Sequence, residues 1–236
     1  MELLDIEVGK LARENYAIIQ LFNKNNIDFF CKGTKSLKEA LAESGTEKEK
    51  FLKELKEIRS CKPQLYAVDV EKWPLDLLAD YVQKTHHPYT EQALLKIKDC
   101  IKIILGNESE EAKIIGEFNP TFELLSGGLA THMKKEELML FPAIKRMSVK
   151  HAGGDTPKFN PIDKSVETMI DEHDMQYKAL RKIREVLNGY IFREGKDDYN
   201  KIIQLMHELD ENLARHIHLE NNILFPKAVE LAKGLS

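Results

Sequence analysis

HMKKEELMLFP, residues 132–142, and HIHLENNILFP, residues 216–226, decide how this chain folds. Both read H-x3-E-x4-F-P, and both close an apolar run stepped at helical spacing. Phe118, Phe122, Leu125 and Leu129 lead into His132, Glu136, Met139 and Ala143 at alternating steps of four and three. Ile202, Met206, Leu209 and Leu213 lead in the same way into His216, Glu220 and Ile223. Such steps mark the inward-facing positions of bundle helices. Each repeat therefore predicts a histidine and a glutamate one turn apart on a buried helix face. The Phe-Pro pair reads as a stop, with Pro142 and Pro226 limiting the preceding turn.

Two further helical runs each carry a histidine in phase. The seam Leu75, Ala79, Val82, His86, Tyr89, Ala93, Ile97 and Cys100 places His86 inward. The seam Val166, Ile170, His173, Tyr177 and Leu180 does the same for His173. The other histidines fall out of phase. His87 is one position off its seam, His207 and His218 lie roughly opposite His216 around a 3.6-residue helix, and His151 sits beside Gly153-Gly154. All four are expected at the surface or rim.

One seam histidine usually reads as a satisfied core residue, and one buried glutamate as a register device. Four histidines and two glutamates converging on one interior read otherwise, because buried charge needs compensation. Imidazole with carboxylate suits iron, zinc or manganese. Six ligands exceed what one tetrahedral zinc takes, so the expectation is two metal ions. With two histidines on each and both glutamates bridging, each metal has four protein bonds. A solvent-derived oxo or hydroxo bridge makes five, leaving one octahedral position for O2 or NO.

The rest of the chain is consistent with a helical protein. Its 236 residues are 42% hydrophobic and 31% charged, Gly and Pro number 12 and 8, and strand-like alternation is nearly absent. The net charge of −4 argues against nucleic acid as a partner. No stretch approaches the roughly 18 apolar residues of a membrane span, and the first residues lack a signal-peptide run. A cytoplasmic chain is expected, with Cys31, Cys61 and Cys100 as free thiols. Residues 1–60 read as a small helical domain, with capping boxes at Ser36/Glu39 and Thr46/Glu49. Residues 61–73, which hold Pro63 and end just before Pro74, read as a linker. Residues 74–236 read as an antiparallel four-helix bundle with runs near 74–106, 117–148, 161–193 and 197–232.

The two repeats, with KTHH (84–87) and DEHD (171–174), resemble the hemerythrin-like metal domain of the iron-sulfur cluster repair di-iron proteins. NNIDFFCKGTKSLKEAL resembles the small helical domain that precedes it in that family. The resemblance spans essentially the whole chain. It implies a cytoplasmic non-haem di-iron protein of the stress response, with two carboxylate- and oxo-bridged iron ions. Its function would be to restore iron-sulfur clusters damaged by nitric oxide or oxidants. The implied ligands are His86, His132, Glu136, His173, His216 and Glu220. Implied partners are damaged iron-sulfur proteins and the diatomics NO and O2, without nucleic acid or membrane; a homodimer stays open. Where that family carries Cys-Cys-Gly-Gly, this chain has Phe30-Cys31-Lys32-Gly33. Oxygen-carrying hemerythrins place the last carboxylate five residues after its histidine; here that position is Asn221. This favours repair over oxygen carriage. A sensor or binding module, and a di-iron NO or peroxide reductase, are the alternatives.

Overall fold

The computed structural model describes residues 3–60, 70–151 and 162–235. Among them the chain is helical, and the β pairing found is one isolated antiparallel bridge, Glu7 to Ser36. None of the described helices is long and apolar enough to cross a membrane. Contacts divide the chain into two units: Met1–Pro74 with Ile217–Lys227, and Leu75–His216 with Ala228–Ser236. The expected linker, 61–73, falls mostly outside the described residues, as does Cys61; Val70–Lys72 forms a 3-10 turn.

The first unit holds α1 (Val8–Glu14), α2 (Tyr16–Lys24), α3 (Leu37–Ser44) and α4 (Lys48–Ser60). Ser36 and Glu39 form the expected capping box, and Gly45 ends α3 in the left-handed region. Thr46 does not cap α4. Its hydroxyl donates to the Asn25 carbonyl, and α4 starts later, with the Glu47 carboxylate accepting the Lys50 N–H. Phe22 stacks on Phe51 with ring centres 6.0 Å apart and meets Phe29 at 5.6 Å. Buried aromatic rings of this kind each contribute about 1.5–3 kcal/mol.

Residues 217–227 of the last helical run belong to this unit. Asn221 Nδ2 donates to the Phe30 carbonyl at 2.9 Å, and Asn222 Nδ2 to the Phe29 carbonyl at 3.1 Å. Gly9 and Gly33 lie face to face, joined by the Gly9 N–H to the Gly33 carbonyl at 2.8 Å. A Cβ on Gly33 would strike Asn222 Oδ1 and come within 2.9 Å of the Phe29 carbonyl oxygen. That carbonyl is backbone and cannot swing away. Gly33→Ala is expected to destabilise the protein by about 1–3 kcal/mol, the usual cost of overpacking. Urea denaturation would measure it, and an unchanged midpoint would refute the argument.

The second unit is a helical bundle. Its runs are α5 (Leu75–Tyr81) continued by α6 (His87–Leu105), α7 (Glu110–Lys135) continued by α8 (Phe141–His151), and α9 (Asp163–Val186). Part of α10 (Asp197–Leu219) and α11 (Phe225–Leu235) completes it. The second run starts earlier than expected, at Glu110, because Ser109 accepts the Ala112 N–H and caps it. The third ends earlier, at Val186, where Asn188, Gly189 and Tyr190 turn through positive φ. Ile97, Phe118, Phe122, Leu125, Leu180, Ile183, Met206 and Leu209 are among the residues of its apolar core.

The Phe-Pro pairs are not stops. Three runs widen into a π turn and carry on: Val82–His86, Glu136–Leu140 and Glu220–Leu224. Each is closed by an N–H that reaches five residues back: His87 to Val82, Phe141 to Glu136, and Phe225 to Glu220. A proline follows every closing residue: Pro88, Pro142 and Pro226. In a regular helix each proline ring would press on the carbonyl four residues earlier. The wider turn relieves that pressure and inserts one residue into the helical count. The seams shift accordingly. Met139 and Tyr89, expected inside, are 68% and 38% exposed, while Leu140, Ile144 and Thr90 are buried.

Candidate metal centre

The π turns decide which side chains converge. In a regular helix the residue above Val82 is His86; with the π turn it is His87. Two groups of buried side chains bring ligand atoms within 4.8 Å of one another: His87, Glu136, His216 and Glu220, and His132, Glu136, His173 and Glu220. Five of the six sequence-expected ligands are in these groups. His86 is in neither, and His87, expected at the rim, is 1% exposed. The remaining members are at most 1% exposed as well.

The orientation of the rings fits a metal ligand set. His132 Nε2 and His173 Nε2 point at each other, 2.9 Å apart. Glu136 reaches His87 Nε2 at 3.3 Å with one carboxylate oxygen and His132 Nε2 at 3.4 Å with the other. On the far side of each ring a second carboxylate waits. His87 Nδ1 donates to Glu137 at 2.9 Å, and His132 Nδ1 donates to Glu172 at 3.0 Å. Those bonds place the ring proton on Nδ1 and aim the Nε2 lone pair inward. Lys134 donates to Glu137 at 2.9 Å, and Lys135 donates to Glu172. Burial pushes both carboxyls up, but the lysine and histidine hydrogen bonds outweigh it, leaving both below the ordinary carboxylate range.

His86 is buried beside this centre. Its Nδ1 donates to Asn212 Oδ1 at 2.8 Å, and Asn212 Nδ2 in turn donates to Thr90 Oγ1 at 3.2 Å. Its ring stacks 5.6 Å from that of His216. His218, expected at the surface, is fully buried. Its Nδ1 accepts from Asn222 Nδ2 at 3.0 Å, and its ring lies 5.8 Å from Phe29. Burial, with the positive charge of Arg13, holds the His218 imidazole down to about 3, so it is neutral. His207 is exposed as expected, and His151 ends α8 instead of sitting in a loop.

Two shared, buried carboxylates and four histidines make groups that could hold a cation. Residues 78–228 match the hemerythrin HHE cation binding domain. The chain belongs to that family. Residues 4–59 match a second family, a domain of unknown function. Relatives along nearly the whole length include proteins named iron-sulfur cluster repair protein YtfE. The one from Pectobacterium atrosepticum is 26% identical over 97% of this chain and 99% of its own. Those from Shigella boydii and Cronobacter sakazakii are 26% and 28% identical over 97% of this chain, covering 99% and 98% of theirs. The two overlapping four-residue His/Glu groups of this hemerythrin-type domain could hold a metal.

Sequence reasoning missed Glu137, Glu172, Lys134 and Lys135. Each pair had a local signal: Lys134-Lys135 precede Glu136-Glu137, and Glu172 precedes His173. What Glu137, Glu172 and Lys135 bind, however, lies on other helices.

Proposed function

We propose that this chain is a cytoplasmic non-haem di-iron protein that restores iron-sulfur clusters damaged by nitrosative or oxidative stress. One observation carries the reading: Glu136 and Glu220 belong to both ligand groups, which suits two metal ions bridged by two carboxylates. The names of the full-length relatives supply the repair role. The proposed ligands are His87 and His216 for one position, His132 and His173 for the other, and both glutamates for the pair. Bound iron would supply redox chemistry toward NO or O2 and a source of iron for a damaged cluster. The protein's part is to hold the imidazole tautomers, keep the pocket buried, and keep both carboxylates facing the ions.

The test is metal analysis of the purified protein, followed by reactivation of a nitric-oxide-damaged iron-sulfur enzyme. Two irons per chain and reactivation dependent on them are expected. One tightly bound zinc, or no reactivation by iron-loaded protein, would refute the reading. The neighbouring histidines supply a sharper check. His87→Ala removes a ligand and should lower the affinity of one metal by more than the roughly 10–100-fold that outer partners alone contribute. His86→Ala removes a neighbour of His216 and should leave both metals bound. The reverse pattern, measured by metal content after desalting, would return the ligand role to His86.

A further inference from the structure

In each ligand group a histidine is backed by a carboxylate, and that carboxylate is held by its own lysine. The two circuits share no residue. One runs Lys134, Glu137, His87; the other runs Lys135, Glu172, His132. Glu137 follows the shared ligand Glu136 in a π turn and reaches across to His87 on α6. Glu172 precedes the ligand His173 on α9, yet its hydrogen bond goes across to His132 on α7. The shared ligands Glu136 and Glu220 stand in both groups, so they cannot distinguish one metal position from the other. The outer circuits can.

We propose that Glu137 and Glu172 are positioning residues that set the retention of two separately controlled metals. Glu137 acts through His87, and Glu172 acts through His132. The inference rests on the ligand reading above. Each carboxylate accepts the Nδ1 proton, fixes the ring in one orientation, and makes Nε2 a better donor. Each lysine holds its carboxylate in place from the outside, where Lys134 and Lys135 reach solvent. The two irons of one chain are then held through separate circuits, and a change in one circuit releases one of them.

The experiment uses the full-length chain loaded with ferrous iron and a chromophoric ferrous chelator in excess. Release is followed by absorbance, iron content by metal analysis, and fold by circular dichroism. Glu137→Gln and Glu172→Gln keep the shape of the side chain and remove its charge. In each single variant one iron equivalent should leave about 10–100-fold faster than in the unaltered protein. The other should keep its original rate. The double variant should lose both quickly, and Lys134→Met, which keeps the Glu137 carboxyl against His87, should change the release rate by less than either Gln variant. Equal acceleration of both equivalents in a single variant, or no acceleration in either, would overturn the proposal while leaving the two-iron reading in place. Fewer than two irons in the unaltered protein would overturn both.

Discussion

Glu136→Ala and Glu220→Ala should each strip both metals from the protein, whereas loss of one histidine should strip one. Each glutamate stands in both ligand groups, while each histidine stands in one. Outer partners of a metal site are worth about 10–100-fold in affinity, so loss of a shared ligand should exceed that at both positions. Iron content after desalting, compared across the glutamate and histidine variants, gives the answer directly. Retention of one full iron equivalent in Glu220→Ala would mean that Glu220 serves a single position. Reactivation of a damaged iron-sulfur enzyme should fall with both metals in either glutamate variant. A glutamate variant that lost iron yet reactivated the enzyme normally would separate repair from the metal centre.

The second large effect lies away from the metals. Arg184 on α9 makes two hydrogen bonds to Asp210 on α10, at 2.6 and 2.8 Å, and the Tyr190 hydroxyl donates to the same carboxylate at 2.9 Å. Asp210 is 7% exposed in its side chain and Arg184 17%. Asp210→Ala would leave the guanidinium with its main partner gone in a largely buried place. It should cost about 3–5 kcal/mol, the range for breaking a buried pair from one side. Tyr190 adds to the effect, since its φ of 66° is strained for a residue with a side chain and its hydroxyl anchors it to Asp210. Replacing both partners, as in Arg184→Met with Asp210→Leu, should recover much of the loss, because no buried charge then remains. Urea denaturation of the three proteins would show it. A single variant within about 0.5 kcal/mol of the parent, the range of ordinary surface changes, would show that the pair is a surface contact in effect.

Much of the convergence of buried His and Glu side chains could be read from the helical period. His132 and Glu136, and His216 and Glu220, are one turn apart, and that spacing is a property of the local backbone. The same reasoning placed His173 correctly on α9, a run with no π turn. It chose His86 over His87 because it counted Val82 to the next inward residue at four. The π turn makes that count five, and the reason for the turn, Pro88, stands just beyond it. Pro142 repeats the effect, which is why Met139 points outward after Glu136 has pointed inward. His218 was misplaced for a different cause. Seen around its own helix it faces away from His216, but that face packs against Phe29 and the paired glycines and is as buried as the seam.

By itself the sequence determined the helical class, the four bundle runs and five of the six residues that converge, because period and capping are written within a few residues of each site. Only the tertiary structure decided which of two adjacent histidines joins them. It alone paired His87 with Glu137, 50 positions away, and His132 with Glu172, 40 positions away. It also drew residues 217–227 into the first unit through Asn221 and Asn222. Those pairings depend on how helices lie against one another. A one-residue change of phase rotates a side chain by about 100° on a 3.6-residue helix. Local spacing therefore names the inward side chains of a regular helix, and packing names them wherever the helix widens.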